Sequence, residues 1–288
     1  MVTVTVATTT VDFWNPQKGD VYVVGVGNHG DGAIWKNGVA RRLNDSRNTQ
    51  SVFVYGSDVY VAAFQGSQPR YARLWKNGVL QNLNLPANNR SEANSVYVSG
   101  GTVYVAGSAQ QNVATLWVNG VSQNLTNGTI AYSVFVSGND VYVAGAFSGL
   151  SSSAARLWKN GEVQNLIGET LAYSVFVSGN DVYVAGSKYL WKNGEIQKLP
   201  DGTNHPGGNS VFVSGSDVYV VGGNQFWKNG VEQNLTDCYY AYSVFVSGDD
   251  VYVAGERENQ GNNNATLWKN GVAQSLSGIW AISVFVVE

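Results

Sequence analysis

The sequence is short of the residues from which many active sites and metal centres are built. It has one cysteine, Cys238, and two histidines, His29 and His205. A single cysteine excludes an intramolecular disulfide framework, and we expect Cys238 to be a small apolar residue beside a loop. Each histidine stands alone in a segment rich in glycine and asparagine, and no histidine pair has metal-ligand spacing. The sequence therefore predicts no metal site and no cofactor.

Charge and long apolar runs are scarce as well. Charged residues make up 13% of the chain, and the formal net charge is -3. Lys and Arg are scattered, so the basic surface that neutralises phosphates is missing, and we expect no nucleic-acid partner. No apolar run approaches the length of a membrane span, and the first ten residues lack the features of a signal peptide. We therefore expect a soluble, monomeric protein with no membrane partner.

What the sequence has instead is repetition. The segment SVFVSGNDVYVAG runs from Ser133 to Gly145 and returns unchanged from Ser174 to Gly186. Three landmarks each occur seven times: Ser-Val-(Phe/Tyr)-Val, (Asp/Thr)-Val-Tyr-Val and Trp-(Lys/Val)-Asn-Gly. Dividing the 288 residues by seven gives about 41 residues per copy, which is the length of a four-stranded propeller blade.

Each copy has the pattern of two tight hairpins. A glycine and a small residue, as in Gly138-Asn139, separate the first two strands, and Asn-Gly separates the last two in every copy, as in Asn160-Gly161. Both dipeptides favour two-residue turns with positive φ, and such turns set the register of the flanking strands. With this register Phe53 lies opposite Tyr60, and the same aromatic pair recurs in other copies.

The two hairpins differ in what they must bury. The first is apolar on both faces, so it must be covered on both sides, and radial repetition around an axis provides that cover. In the second, Trp158 opposes Val163, and we expect Lys159 to pair with Glu162 at the outer rim. The sequence therefore predicts an all-β, seven-bladed propeller with four antiparallel strands in each blade.

The order of segments in each copy carries a family resemblance. Ser-Val-Phe-Val, a turn, Asp-Val-Tyr-Val-Ala-Gly, a loop, Leu-Trp-Lys, a turn and Gln-Asn-Leu resemble the blade of NHL-type β-propellers, from about Asp20 to Val286. This resemblance implies that the first strand, A, is innermost and the fourth, D, outermost. The copies are also similar to repeats of uncharacterised bacterial propellers. The Trp-Asp signature, the kelch glycine doublet and the sialidase Asp box are missing, so no functionally characterised subfamily is matched.

The two ends of the repeat predict how the ring closes. The chain enters with a B strand at Asp20 and leaves with an A strand at Ser283, so we expect the C-terminal A strand to complete the first blade. Residues 2–6 look like a strand that either adds an edge or is the remnant of a lost unit. The predicted single domain is 1–288, with blades at 15–43 plus 283–288, 51–83, 95–125, 133–166, 174–199, 210–235 and 243–276.

Length variation between copies is confined to one face of the predicted disc. The A-to-B and C-to-D turns keep their length, whereas the B-to-C and D-to-A connections vary; the Asp/Thr-to-Trp spacing runs from 10 to 18 residues. This variable face is either unconstrained or displays a binding surface. The neighbouring copies at Asp181 and Asp217 have the shortest B-to-C connections, so we expect a notch above them.

The candidate site residues lie in the variable connections. Tyr132, Tyr173 and Tyr242 precede the first serine of their copies, and aromatic side chains there either cap the inter-blade core or stack on a ligand. The predicted ligand-binding residues are Tyr132, Tyr173, Tyr239, Tyr240, Tyr242, Trp280, Arg70, Arg257 and His205.

These features favour a noncatalytic binding or protein-interaction scaffold whose partner, a protein or a glycan, lies on the variable face. Three alternatives stay open: lectin-like carbohydrate binding, a propeller hydrolase or lyase with loop-borne residues, and a recently amplified or engineered array without a specific function. We predict no catalytic residue, because the recurring aspartates follow turns and are typical of hairpin ends. An enzyme would be sought first among Arg70, Arg257, Glu256, His205 and Asp201.

Overall fold

The described part of the chain folds into seven four-stranded antiparallel sheets. The computed structural model describes residues 11–67, 69–84, 90–110, 112–149, 152–168, 170–198, 208–259 and 262–288. Each sheet is one blade, and the predicted seven-bladed propeller is confirmed. No helix in the described residues is long and apolar enough to cross a membrane.

The strands follow one another blade by blade. The chain begins with β1 (Val21–Val26), β2 (Gly32–Lys36) and β3 (Val39–Arg42). Blade 2 contains β4 (Asn48–Tyr55), β5 (Asp58–Gln65), β6 (Tyr71–Lys76) and β7 (Val79–Gln81). Blade 3 contains β8 (Glu92–Ser99), β9 (Thr102–Ala109), β10 (Val113–Val118) and β11 (Val121–Asn124). Blade 4 contains β12 (Ile130–Ser137), β13 (Asp140–Ser148), β14 (Ser153–Lys159) and β15 (Glu162–Asn165).

The remaining strands complete the ring. Blade 5 contains β16 (Ala172–Ser178), β17 (Asp181–Gly186), β18 (Leu190–Lys192) and β19 (Glu195–Ile196). Blade 6 contains β20 (Ser210–Ser214), β21 (Asp217–Gly222), β22 (Gln225–Lys228) and β23 (Val231–Gln233). Blade 7 contains β24 (Cys238–Ser247), β25 (Asp250–Asn259), β26 (Asn262–Lys269) and β27 (Val272–Ser275). The last strand is β28 (Trp280–Val286).

The C-terminal strand closes the first blade, as the ends of the repeat predict. β28 pairs antiparallel with β1, with Phe285 opposite Tyr22, and the sheet order is β28-β1-β2-β3. The Gly19 amide donates a hydrogen bond of 2.8 Å to the Val287 carbonyl, which extends the pairing beyond the strands. Both ends of the repeat are therefore held in one sheet. Residues 2–6, whose role the sequence left open, lie outside the described residues.

The turn chemistry sets the register. Asn160 and Gly161 have φ values of 53° and 85°, and the other six Asn-Gly pairs share these positive signs, as a type I′ turn requires. The predicted register is confirmed in the first hairpin by Phe53 opposite Tyr60.

One contact predicted in the second hairpin is wrong. Lys159 is the register partner of Glu162, but its ammonium lies 2.7 Å from Oδ2 of Asp140. The turn residue Asn160 donates to the other oxygen of Asp140 at 2.8 Å. The recurring aspartates are therefore ion-pair partners that join the two turns of a blade, in addition to ending a hairpin. The pair recurs in six blades, and blade 3 has Thr102 and Val118 in its place.

The core consists of seven apolar clusters, each between two neighbouring blades. The repeated tryptophan of each third strand is buried, and it packs against the preceding blade, as Trp158 packs against Ala106 and Ala114 of blade 3. The fourth strands are largely exposed, as in β3 and β15. Blades therefore bury both faces of their inner strands, and the second hairpin forms the outer rim as expected.

Candidate functional site

A β-bulge near the start of most A strands directs a side chain toward the axis. In blade 4 the pairing of β12 with β13 skips one residue between Ala131 and Ser133, so Tyr132 has no partner in the ladder. Bulges re-aim the extra residue and are frequent beside functional sites. Five further A strands have a register shift at the same place, and the residues outside the ladder are Gln50, Asn94, Tyr132, Tyr173, Tyr242 and Ile282.

These side chains line one cavity at the axis of the variable face. The cavity, here called the funnel, has a volume of about 420 Å³, and Asn209 lines it at the same place in blade 6. The chemistry of this ring differs from blade to blade, whereas the next residue is serine in all seven. The funnel is thus the part of the repeat in which the blades differ most in chemistry.

The seven serines line the deeper part of the funnel, and each one bonds to the next blade. These inter-blade hydrogen bonds are here called latches. Ser95 Oγ accepts a hydrogen bond of 3.2 Å from the Val134 amide of the next blade. The same bond occurs at each of the seven blade boundaries, with distances from 3.2 to 3.4 Å. Each hydroxyl oxygen is therefore held in place, and its own proton is available to a second acceptor.

Below the serines the channel narrows to an aromatic collar. Side chains two residues apart on a strand share a face, so the residue two positions after each serine also points to the axis. Neighbouring rings of the collar have centroids 4.5 to 5.0 Å apart, and its members are Phe53, Tyr97, Phe135, Phe176, Phe212, Phe245 and Phe285. The collar offers mainly apolar ring surface, so the hydrogen-bonding and charged side chains of the cavity lie above it, in the funnel.

An arginine–glutamate cluster occupies one wall of the funnel. Glu92 is 7% exposed, and its Oε1 lies 3.0 Å from Arg70 and 2.8 Å from Arg90. The Arg70 guanidinium also lies 4.5 Å from the centroid of the Phe64 ring. Two guanidinium groups thus share one carboxylate, and the cluster keeps a surplus positive charge beside the funnel.

The adjoining wall, in blades 4 and 5, is aromatic. Tyr132 and Tyr173 contact each other edge to face, with centroids 5.1 Å apart. Burial raises the pKa of Tyr132 to about 12, and burial also raises the pKa of Tyr173. Both hydroxyls are therefore protonated at neutral pH and can donate hydrogen bonds to a ligand.

Tyr242 belongs to a second aromatic and acidic group in blade 7. Its hydroxyl donates a hydrogen bond to Oε1 of Glu256, which is 3% exposed, and its ring lies 4.7 Å from that of Tyr240. Burial and the nearby Glu256 carboxylate raise the pKa of Tyr242. Burial and Glu256 also raise the pKa of the Cys238 thiol to about 12. Cys238 is therefore a protonated, unreactive thiol, as expected for a structural residue.

Other predicted site residues are not part of the funnel wall. Arg257 pairs with Asp237 at 2.9 Å, and Tyr239 is exposed. Trp280, which is 38% exposed, lines a neighbouring hollow that also includes Arg70. His205 and Asp201 lie outside the described residues. Of the described residues considered for an enzyme, Arg70 is thus the one found in the wall of the funnel. No group of three or more His, Cys, Asp or Glu side chains in the described ranges could hold a metal.

Strand lengths agree with the expected notch in the rim of the variable face. β17 and β21 have six residues each, whereas β25 has ten. All three begin at the recurring aspartate, so β25 extends about 13 Å farther, at roughly 3.3 Å per residue. The B strands of blades 5 and 6 therefore end closer to the disc than that of blade 7, and the connection 199–207 that would border the notch lies outside the described residues.

Sequence reasoning identified the three tyrosines of the funnel but missed several of its other residues. Gln50, Asn94, Asn209 and Ile282 occupy the same place in their copies, immediately before the serine. The sequence did carry a signal for these residues: their position varies in residue type between the copies, whereas the next position is always serine. Glu92 and the serine latches had no comparable signal, since both depend on contacts between parts of the chain that are distant in sequence.

Comparisons with known proteins support the fold. No protein-family model and no curated protein sequence matches the chain. The crystal structure of the computationally designed Ika8 protein is 14% identical, with a TM-score of 0.54, and the match covers 92% of this chain and 82% of that one. A chain of a nidogen/laminin complex is 9% identical, with a TM-score of 0.53 and coverage of 93% and 98%. Similarity at such identities shows a common propeller architecture alone.

Proposed function

We propose that this propeller is a noncatalytic binding scaffold that holds its ligand in the funnel of the variable face. The observation that carries the proposal is the ring of side chains that the bulges direct to the axis. Six A strands share the bulge, yet they present amide, phenol and aliphatic groups in an irregular order. A fixed frame with variable contact groups is the usual design of a binding surface.

The contacts within the funnel favour binding over hydrolysis. Most glycosidases use two carboxyl groups about 5 to 9.5 Å apart, although some families use a tyrosine nucleophile in place of one of them. In the described wall of the funnel Glu92 is the single carboxylate, and two arginines already bind it. Glu256 accepts the hydroxyl of Tyr242, and Arg257 pairs with Asp237 outside the funnel.

The resemblance to NHL-type blades is part of the proposal. The strand order from inner A to outer D fits that resemblance, and so does the tight, constant A-to-B turn. Propellers of many functions share this architecture, so the blade type supports a scaffold without specifying its ligand.

The proposal is tested with a ligand screen and two matched aromatic variants. The intact protein is applied to a glycan array and used in a pull-down, and each ligand found is titrated. The double variant Tyr132→Ala/Tyr173→Ala should weaken binding by tenfold or more, on the order of the loss of one or two aromatic contacts. The control Tyr55→Ala removes a tyrosine that is 42% exposed on the opposite face and should leave the affinity unchanged.

Three results would contradict the proposal. The first is a ligand whose affinity the double variant retains while its melting temperature matches that of the wild type. The second is a loss of affinity in Tyr55→Ala. The third is turnover of a ligand at the funnel, which would make the protein an enzyme.

A further inference from the structure

The funnel continues into a groove between blades 1 and 2. A second hollow of about 410 Å³ shares Asn48, Phe64 and Arg70 with the funnel. From there it extends to Arg47, which follows the last strand of blade 1, and to Trp280 at the start of β28. A ligand larger than the funnel therefore has a direct path along this boundary, here called the groove.

The walls of the funnel and the groove carry more guanidinium groups than carboxylates. Arg47 is exposed and forms no ion pair with another described residue, and Arg70 and Arg90 share the single carboxylate of Glu92. Arg70 and Arg90 thus bring two guanidinium groups to one carboxylate, in a chain whose formal net charge is -3. Arg47 also lines an outer hollow with Asp31, Asp45 and Arg42, where Arg42 pairs with Asp31 at 3.1 Å, so the positive surplus is greatest at Arg70.

The polar groups of the funnel match hydroxylated ligands better than peptides. Its walls offer serine and tyrosine hydroxyls and the side-chain amides of Asn94 and Asn209. Such groups donate and accept hydrogen bonds singly, as the hydroxyl groups around a sugar ring require. A peptide that adds to a sheet needs a free strand edge. The inner A strands have such an edge at the funnel, but a bulge interrupts most of them, and the amide after each serine is already bonded to the serine of the preceding blade, as Val134 is to Ser95.

We propose that the ligand is an acidic oligosaccharide whose carboxylate-bearing sugar binds in the funnel beside Arg70, with the adjoining sugars in the groove beside Arg47 and Trp280. This inference rests on the proposed function and specifies its ligand class. Arg70 is suited to the role because the Phe64 ring below it and the Glu92 carboxylate beside it hold the guanidinium in one orientation. A preoriented guanidinium binds a carboxylate through paired, charge-assisted hydrogen bonds.

The test compares uronate oligomers with their methyl esters by isothermal titration calorimetry. Short oligomers of galacturonate, mannuronate and glucuronate are the probes, and esterification removes their charge while keeping the chain. At least one acidic oligomer should bind, its ester should bind tenfold or more weakly, and added salt should weaken the acidic form.

Variants assign the two sites separately. Arg70→Gln should weaken both the uronate monomer and the oligomer about tenfold, the size of one charge-assisted contact. Arg47→Gln should weaken the oligomer and leave the monomer unchanged, because Arg47 lines the groove but not the funnel. The control Lys188→Gln removes an exposed cation from blade 5 and should change neither affinity by more than about twofold, as is usual for a distant surface charge.

The outcomes separate this inference from the proposed function. If esters bind as well as acids, or if none of the uronate oligomers binds while another ligand depends on Tyr132 and Tyr173, the acidic-sugar assignment is wrong and the binding funnel remains. If acidic oligomers bind but the double tyrosine variant retains them, the funnel is not the binding site. If polyglutamate binds with the same dependence on Arg70 and Arg47, the ligand is an acidic peptide and the inference is overturned.

Discussion

The ion pair of blade 1 is the buried member of an otherwise exposed set, which makes its removal informative. Lys36 and Asp20 have side chains that are 8% and 13% exposed, and their charged atoms lie 2.8 Å apart. In blade 4 the equivalent Lys159 and Asp140 are 52% and 37% exposed. The N-terminal segment makes the difference, because the carbonyls of Asp12 and Asn15 cover the Lys36 ammonium and accept hydrogen bonds of 2.8 Å from it.

We therefore expect Asp20→Asn to destabilise the protein far more than Asp140→Asn. Removing one partner of a buried pair costs about 3 to 5 kcal/mol, because the other charge is left without compensation. Two carbonyls still solvate Lys36, so the loss should lie near or below the lower limit, at about 2 to 3 kcal/mol. For a chain of this size the melting temperature should fall by roughly 3 to 5 °C.

The pH dependence of the same variants provides an independent check. Burial acts to raise the pKa of Asp20, but hydrogen bonds from Lys36, Asn37 and the Gln17 amide outweigh it and lower the pKa below 3.8. A carboxylate with a lowered folded-state pKa stabilises the protein above its ordinary pKa, and the contribution disappears as the pH falls through the folded value. The difference between wild type and Asp20→Asn should thus be constant near neutral pH and shrink below about pH 4.

Thermal and urea unfolding at several pH values measure both effects. Asp140→Asn is the matched control, since it removes the same carboxylate from the same turn without the N-terminal cover. Equal losses in the two variants would refute the argument from burial. A difference that does not decrease as the pH falls below about 4 would refute the assignment to the Asp20 carboxylate.

Three further predictions concern the latches, the thiol and blade 3. Ser283→Ala removes the acceptor of the Val52 amide between the C-terminal strand and blade 2. The free energy of unfolding in urea should fall by about 1 kcal/mol. A loss no larger than that of the exposed turn variant Ser57→Ala would show that this hydrogen bond does not stabilise the ring. Burial raises the pKa of Cys238 to about 12. In the folded protein at pH 8 this thiol should therefore react with a thiol reagent roughly a hundredfold or more slowly than in the protein unfolded in urea. Equal rates would show that the folded protein activates the thiol. Thr102→Asp together with Val118→Lys should introduce the ion pair of the other blades into blade 3. A double-mutant cycle should give a favourable coupling free energy of up to about 1 kcal/mol. A coupling of zero or of the opposite sign would show that the pair does not form.

The features predicted from the sequence are those that local turn chemistry controls. An Asn-Gly pair such as Asn160-Gly161 requires positive φ at both residues, and a two-residue turn leaves one possible register for the strands beside it. Opposite faces of the first hairpin are both apolar, so the blades had to stack around an axis. The number of blades then followed from the number of copies.

The bulges could not be derived in the same way. Register counted outward from a turn assumes an unbroken ladder, and the count fails where one residue leaves it, as at Tyr132. A glycine beside the bulge is related to this change, because a Cβ on Gly145, which pairs with Ala131, would overlap the carbonyl oxygen of Ile130 on the bulged strand. Blade 2 has Ala63 in that place and keeps its bulge, so the glycine favours the bulge without being required for it.

The collar shows a second limit of register arguments. Phe53 faces Tyr60 across the hairpin, but its ring contacts belong to Tyr97 and Phe285 of the neighbouring blades. Alternation along a strand predicts which face a side chain occupies, whereas the partner on that face depends on how the blades are arranged around the axis. The same holds for Glu92 and Arg70, which are 22 residues apart in sequence and meet only in the folded ring.

The distribution of differences between the blades favours a selected site over an array without function. The latch serine and the collar ring serve the packing of every blade, and they are serine and an aromatic residue in every copy. The residue before each serine takes part in neither contact, although Asn94 and Asn209 donate hydrogen bonds to carbonyls of the next blade, so its identity varies more than that of the serine or the collar ring. Arg70 and Arg90 share the carboxylate of Glu92, which accounts for their proximity in the fold. One carboxylate balances one of two guanidinium charges, so an anionic ligand beside Arg70 would be stabilised by the charge that remains.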